Sequence, residues 1–267
     1  MSMPNALTLG TLRGEIELKQ FFRERDSLVF TFSLPAILLL LLGSIFPGEL
    51  PGGVTVSQLY VASILAGGIA STSFVNLGIG VATDRDDGTL KRLRGMPMSP
   101  LAYFLGKVIL VMVASLAELA LLLTMGVVVF DLELPTQPEK WLTLAWLFVL
   151  GVTGCALLGI AAANMAGTAR SAGSVTMLPL VVLQFISGVY IMPPEQIGSP
   201  FAEIGAVFPV KWLAQGLRSV FLPDGAKAFE ASGSWDLGLV ALVLGIWCVA
   251  GLVLCLMTFR WRSRLTR

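Results

Sequence analysis

Long apolar runs dominate this chain of 267 residues. Hydrophobic residues make up 55% of it and charged residues only 13%, whereas ordinary soluble domains carry about 25% charged residues. A helix needs roughly 20 apolar residues to cross the hydrocarbon core of a bilayer. The runs predict six spans, at Leu28–Phe46, Ser57–Ala82, Leu101–Phe130, Trp141–Ala163, Ser174–Ile191 and Leu237–Phe259. The predicted fold is therefore an all-α membrane protein with six transmembrane helices, forming one domain over residues 1–267.

The residues that the chain lacks exclude several chemistries. It has no His, so imidazole-based zinc sites and His-dependent catalytic triads are excluded. A nucleotide-binding P-loop needs Gly-Lys followed by Ser or Thr, but Gly106-Lys107 is followed by Val108. The net charge of +1 gives no strong field for nucleic acid. We therefore predict a protein that is not itself an enzyme and binds no metal, cofactor or nucleic acid.

The distribution of basic residues predicts the orientation in the membrane. Of 18 Lys and Arg residues, 14 fall on the side that holds both termini and the segment between spans two and three. Basic residues near span ends mark the cytoplasmic side. The opposite side has only Lys140, Lys211, Arg218 and Lys227. We predict a multi-pass plasma-membrane protein of a prokaryote with both termini in the cytoplasm.

Two segments outside the spans have amphipathic or interrupted patterns. In residues 1–27, polar Arg13, Glu17, Gln20 and Glu24 form one helical stripe beside apolar residues, which predicts a helix on the cytoplasmic membrane surface. A plain charged extension is the alternative. In residues 192–236, two apolar pieces too short to span are separated by prolines. They predict short re-entrant helices in the outer leaflet, and an ordinary external loop is the alternative.

The segment 83–100 is unusually charged for so apolar a chain. Acids precede bases, which suits the dipole of a short helix, and Gly95 and Pro97 would end it. Leu90 and Leu93 would share one face, so the helix could dock an apolar patch into a groove of a partner. The alternative is a positive-inside anchor with no partner. The charged residues are Asp84, Asp86, Asp87, Lys91, Arg92 and Arg94.

Two stretches resemble type-2 ABC transporter permeases. The first, DRDDGTLKRLRGMPMSPLAYFLGK at residues 84–107, is similar to the family's first cytoplasmic loop, although Asp86 stands where the family often has Glu. The second, SGVYIMPPEQIGSPFAEIGAVFPVKWLAQGLR at residues 187–218, resembles the exit of the fifth span and the external re-entrant segment. The matching residues are Asp86, Gly88, Thr89, Leu90, Leu93, Pro97, Leu105, Gly106, Lys107, Ser187, Gly188, Pro193, Pro209 and Arg218.

This resemblance implies the permease subunit of an ATP-driven exporter, similar to the daunorubicin-resistance permeases. Two permease chains, identical or paralogous, would pair above two ATPase subunits that bind ATP and Mg. The cargo would be a lipid or a hydrophobic drug. The loop helix would be the coupling helix, and the N-terminal helix would contact the ATPase through Glu17, Arg23 and Arg25. The coupling residues would be Asp84, Asp86, Asp87, Gly88, Thr89, Leu90, Arg92, Leu93, Arg94 and Pro97.

Polar and aromatic residues within the spans are candidates for the transport path. Glu118 is the carboxylate deepest in any predicted span, and such residues are costly and often functional. It could contact substrate or carry a proton, or it could be a buried Glu bonded to a neighbouring helix. The remaining candidates are Asn76, Gln184, Phe185, Tyr190 and Met192. An ion-coupled secondary transporter using Glu118, or a non-transporting sensor or assembly factor, is the alternative function.

Overall fold

The computed structural model describes residues 5–46, 48–50, 53–95, 99–166, 168–191 and 199–258. Within these residues, six helices are long and apolar enough to cross a membrane, which confirms the predicted number of spans. Their apolar stretches are Leu28–Ile45, Val56–Asp86, Ala102–Phe130, Pro138–Met165, Ala169–Ile186 and Leu237–Thr258. The all-α fold class is therefore confirmed, whereas the division of residues 1–267 into functional segments stays a prediction.

The first two helices are nearly continuous. Helix α1 covers Ala6–Arg23 and α2, which holds the first span, covers Arg25–Ile45. Glu24 separates them because its backbone leaves the helical region, with φ −83° and ψ 81°. The third span, α6, covers Pro100–Phe130, and α1 packs along its first turns.

Two glycines of α1 permit that close packing. A Cβ atom at Gly10 would lie 2.6 Å from Leu105 Cδ2, and one at Gly14 would lie 2.9 Å from Ile109 Cβ. Small residues at such crossings let two helix backbones approach closely. The N-terminal helix is therefore fastened to the third span, in addition to whatever contact it makes with a membrane surface.

The second span is one helical rod in three parts. It runs as α3 (Val56–Ala70), a π-helical turn (Ser71–Asn76) and α4 (Leu77–Asp86). A reciprocal capping pair, Thr55 and Gln58, starts it. Every residue from Leu59 to Ala70 is buried, because small residues along the rod let several other spans pack against it. The rod is the centre of the bundle and ends four residues beyond the predicted Ala82.

The fourth and fifth spans are α7 (Pro138–Met165) and α8 (Ala169–Ile186). Helix α8 starts five residues before the predicted Ser174, because Thr168 and Ser171 form a reciprocal cap at its first turn. It also ends at Ile186 instead of Ile191, and Gly188 follows in the left-handed region with φ 71°. Between the second and third spans lies the short helix α5 (Thr89–Arg94).

We call the end of the bundle that holds α1, α5, the end of α7 and the start of α8 the charged end. At the opposite end, two-residue strands β1 (Glu49–Leu50) and β2 (Val54–Thr55) pair antiparallel, a feature that the sequence reading did not predict. Helices α9 (Ser199–Val207) and α10 (Pro209–Phe221), a 3-10 helix (Asp224–Phe229) and the sixth span α11 (Leu237–Thr258) complete the described chain.

Helix α10 is buried along its whole length and packs against α3, α7 and α11. The segment after the fifth span thus contains two short helices, although their bounds differ from the predicted apolar pieces. Their insertion into a membrane leaflet stays a prediction. Met192, Pro193 and the residues up to 198 lie outside the described part of the chain.

Candidate functional site

The charged segment is two helices joined by a glycine turn. The sequence placed all three acids at the start of one helix, but Asp84 and Asp86 belong to the end of α4. Only Asp87 serves α5: its carboxylate accepts a hydrogen bond from the Thr89 backbone N–H at 2.8 Å. Gly88 permits the turn because its φ is 79°, where a side chain would be strained. The second span is therefore extended directly into the charged segment.

Asp87 keeps its charge through these contacts. Its slight burial raises the pKa of the carboxyl, but the hydrogen bonds from Thr89 and the charge of Arg92 outweigh this and hold the pKa below its usual value. A negative carboxylate at the first turn also suits the dipole of α5. The charged carboxylate that accepts the Thr89 hydrogen bond is therefore favoured in the folded protein.

The apolar pair of α5 points inward, which corrects the predicted docking patch. Leu90 is 1% exposed and Leu93 4% exposed, and both pack against Tyr103 at the start of the third span. The face that remains accessible carries Lys91 and Arg92, with Asp87 beside it. A helix tethered at both ends to spans buries its two leucines against its own chain, because that removes apolar surface from water without a partner. A partner at this surface would meet charge.

A buried ionic cluster fastens this segment to α1 and α6. The Lys107 ammonium lies 2.8 Å from Glu17 Oε2 and 2.7 Å from Asp84 Oδ2, and Lys107 is 3% exposed. Arg13 pairs with Glu17 at 2.5 Å, and the Tyr103 hydroxyl donates to Asp84 at 3.0 Å. Buried charges require such pairing, because an unpaired charge away from water is very costly. Three elements, α1, α4 and α6, are therefore joined by one network.

The three residues assigned to ATPase contact on or near α1 lie in different surroundings. Glu17 is 6% exposed and belongs to the ionic cluster, so it faces its own chain and not a free surface. Arg23 and Arg25 are exposed. Arg13 and Glu17 of the polar stripe predicted on α1 therefore face the protein, whereas Gln20 and Glu24 of the same stripe are exposed. Apolar Leu12 and Ile16 also face outward.

Two neighbouring side chains of the charged segment reach the turn between the fourth and fifth spans. The Arg85 guanidinium donates to the backbone oxygens of Ala166 at 2.9 Å and Ala163 at 3.4 Å. The Asp86 carboxylate accepts from the Ala169 N–H at 2.5 Å.

Two of the predicted coupling residues remain. Arg94 is the last residue of α5, and Pro97 lies outside the described residues.

Asn76 lies apart from the other candidate path residues, whereas Gln184, Phe185 and Tyr190 lie together, since the Tyr190 hydroxyl donates to Gln184 Oε1 at 2.5 Å. Asn76 donates to the Thr31 hydroxyl at 3.1 Å and so joins the second span to the first. Gln184 donates to the Gly67 carbonyl at 2.9 Å. Phe185 is partly exposed and stacks edge-on against Tyr190, with 5.1 Å between ring centroids. Met192 lies outside the described residues.

Glu118 is fully buried beside the π-helical turn. It accepts a hydrogen bond from the Thr72 hydroxyl, and Gly68 leaves room for its carboxyl group. The hydrogen bond joins the third span to the second. It matches the alternative interpretation of Glu118, a buried Glu bonded to a neighbouring helix. Its role in transport stays a prediction.

An ion pair at the opposite end was missed at the sequence level. Arg218 of α10 bonds both oxygens of Glu230, with Nε to Oε1 at 2.5 Å and Nη2 to Oε2 at 3.1 Å. It also donates to the Ser63 hydroxyl of the second span and to the Gly188 carbonyl after the fifth. A lone Arg in a short apolar helix was a usable signal for a buried acidic partner, but Glu230 sits in a polar loop with nothing to distinguish it.

Six apolar helices with a charged helix locked to one end define a polytopic membrane protein whose second and third spans are rigidly joined to a surface element. The family profile of the ABC-2 type transporter matches residues 14–222, which is most of the chain. The chain belongs to this family and is thus a membrane permease subunit of an ABC transporter. Membership implies association with an ABC ATPase subunit. Comparison with curated proteins gave no match.

Proposed function

We propose that the chain is the permease of an ATP-driven exporter of hydrophobic cargo, a lipid or a drug, in a prokaryotic plasma membrane. The observation that supports this most is the mechanical unit formed by α1, α4, α5 and the start of α6. Its outer face is charged, whereas its inner face is bound by buried leucines and the Lys107 cluster. A displacement of α5 by a cytoplasmic partner would therefore be transmitted directly to the second and third spans.

The proposed assembly has two permease chains, identical or paralogous, and two ATPase subunits that carry ATP and Mg. Both termini and α5 would face the cytoplasm. The docking surface of α5 is proposed to be electrostatic: Asp87, Lys91 and Arg92 would meet complementary charges on the ATPase. This replaces the apolar docking expected from the sequence, because Leu90 and Leu93 are already buried.

Co-purification from native membranes in mild detergent tests the proposal. We expect an ABC ATPase with the wild-type chain and its loss with Lys91→Glu/Arg92→Glu, which reverses charge only on the exposed face. Lys227→Glu is the control, since Lys227 lies at the opposite end. Any second permease in the sample would distinguish a homodimer from a heterodimer. If the wild-type chain brings down no ATPase in several detergents, the ATP-driven proposal is wrong.

Ion-coupled transport through Glu118 is the second candidate. One carboxylate oxygen of Glu118, Oε1, has no hydrogen-bond partner within the described residues, and a proton could occupy it. In a reconstituted system, the wild type would then transport in response to a proton gradient and Glu118→Gln would not. Neither protein would transport in response to ATP. Family membership favours the ATP-driven mechanism, in which Glu118→Gln transport would still depend on ATP.

A further inference from the structure

Arg85 and Asp86 place opposite charges on the two helix ends that meet between the fourth and fifth spans. The guanidinium lies on the last carbonyl groups of α7, and the carboxylate on the first N–H of α8. A helix presents partial negative charge at its C-terminus and partial positive charge at its N-terminus. Both side chains therefore match the end they touch, and both come from the end of the second span.

The contact supplies what the fifth span lacks at its start. The first N–H groups of a helix have no partner within it. The Ser171 N–H is bound by Thr168 of the same turn, whereas the Ala169 N–H is bound by Asp86 from a different span. Asp86 is thus part of the N-terminal cap of α8.

Close packing below these side chains makes the contact possible. Ala82 is buried in a cluster with Ala163, Ala166 and Ala172, so the end of the second span lies directly against the turn. One helical turn earlier, a Cβ atom at Gly78 would lie 2.9 Å from the Gly159 carbonyl oxygen. Because the side chains between them are so small, the backbones of α4, α7 and α8 come close enough for Arg85 and Asp86 to reach carbonyl and amide groups.

The second span is therefore held at its charged end on two sides. Asp84 binds it to α1 and α6, and the next two residues bind it to α7 and α8. Three consecutive residues thus attach this end of the span to four helices, α1, α6, α7 and α8.

We propose that Arg85 and Asp86 are positioning residues that transmit displacement of the charged segment to the fourth and fifth spans. This rests on the proposed function, since it takes the ATPase as the source of the displacement. The second and third spans are attached to the charged segment by the chain itself. The fourth and fifth are attached to it through these side-chain contacts, the alanine packing and the packing of α4 against α7 and α8. The moving body would thus be four spans and not two.

The first experiment measures hydrogen exchange of residues 163–176 in the chain alone, in lipid nanodiscs. We expect faster exchange at the start of α8 with Asp86→Ala, and near wild-type exchange with Asp86→Asn, whose amide oxygen still accepts a hydrogen bond. Asp87→Ala is the matched control, because that neighbouring acid binds only within its own turn. Unchanged exchange in Asp86→Ala would overturn the proposal outright.

The second experiment uses the transporter assembled with its co-purified ATPase, with and without ATP and vanadate. In the wild type and in Asp86→Asn, we expect nucleotide to change exchange both at residues 84–95 and at residues 169–175. In Arg85→Gln/Asp86→Ala, the change at residues 84–95 should persist and the change at 169–175 should fall roughly fivefold, as for a lost coupling contact. A merely structural role would alter the baseline exchange but not this nucleotide response.

The outcomes separate the two proposals. Equal nucleotide responses at residues 169–175 in the wild type and the double variant would refute transmission through Arg85 and Asp86 while leaving the ATP-driven permease intact. Failure of any ATPase to join the wild-type chain would refute the proposed function and transmission with it. In that case the first experiment would still show whether Asp86 caps the fifth span.

Discussion

Removing the charge of Glu230 is the sharpest test of how the opposite end is held together. Arg218 bonds both Glu230 oxygens and also reaches Ser63 and Gly188, so it joins α10, the loop after it and two spans. Glu230→Gln keeps one acceptor oxygen and the shape of the side chain. It leaves the guanidinium charge buried beside a neutral amide.

The magnitude follows from the burial of both partners, whose side chains are each 1% exposed. Breaking a buried ion pair by neutralising one partner costs about 3–5 kcal/mol. At roughly 2–4 °C per kcal/mol for a chain of this size, the melting temperature should fall by roughly 6–20 °C. In Arg218→Met/Glu230→Leu neither member of the pair is left as an unpaired charge, and the loss of a donor at Ser63 and Gly188 costs about 1–3 kcal/mol. The double variant should therefore be more stable than the single one.

Thermal unfolding in detergent, followed by the fraction of monodisperse protein after heating, measures these differences. Lys227→Met is the control: Lys227 pairs with Asp224 at 2.9 Å in the same loop, but that pair is exposed. Exposed pairs contribute below about 1 kcal/mol, so its melting temperature should fall by less than about 4 °C. A Glu230→Gln protein as stable as the Lys227→Met protein would show that the buried pair does not hold this end.

Three further predictions concern the rest of the bundle. Gly159→Ala should lower thermal stability by about 1–3 kcal/mol, because the added methyl group would overlap the Phe74 carbonyl, whereas Gly245→Ala, with open space around it, should have no effect. Lys107→Met should lower stability by about 1–3 kcal/mol and loosen α1, measured by limited proteolysis, because buried Glu17 would keep Arg13 but lose Lys107, and half-buried Asp84 would lose its nearest cation. If proteolysis of α1 is unchanged, the cluster does not fasten it. A spin label at position 91 should keep its mobility from pH 7 to 5 and gain mobility only below about pH 4, and Asp87→Ala should abolish that dependence.

The sign of the pH prediction follows from the lowered pKa of Asp87. A carboxyl whose pKa is lower in the folded state than in the unfolded state stabilises the fold fully above its unfolded value. That contribution is lost as the pH falls through the folded value, which here lies below the usual range for Asp. Increased label mobility already at pH 6 would contradict this assignment.

The sequence was sufficient for the spans because bilayer thickness imposes a length and apolarity that few other segments satisfy. The sequence was insufficient to predict the residues at which the spans begin and end. Asp84 and Asp86 interrupt the apolar run but not the helix, because their partners are Lys107 and the Ala169 N–H. A charged residue can continue a helical span when a partner elsewhere in the fold binds it. The partner of Asp84 is 23 residues away in the sequence and the partner of Asp86 is on the fifth span, so local sequence does not reveal either.

The direction in which each helix face points, toward the protein or away from it, was the least predictable property. A stripe through Arg13 and Glu17 was recognised, but its direction depends on Lys107, which no local pattern connects with it. For Leu90 and Leu93 the spacing was correctly read as one face, yet that face turns inward because Tyr103 lies within reach once the third span is in place. Periodicity fixes which residues share a face and leaves open what the face contacts.

The π-helical turn at Ser71–Asn76 has a consequence for length changes in the second span. Such a turn accommodates one more residue than an α-helix would over the same distance. Deleting a single residue there should convert it to a regular α-helix and leave the two flanking halves of the span in nearly the same orientation. The same deletion in the regular part of α3 would rotate everything beyond it by about 100°, and Arg85 and Asp86 would then face away from the fourth and fifth spans. We therefore expect single-residue deletions at 71–76 to be better tolerated than single-residue deletions at 60–69, since the π-helical turn can absorb the change in length.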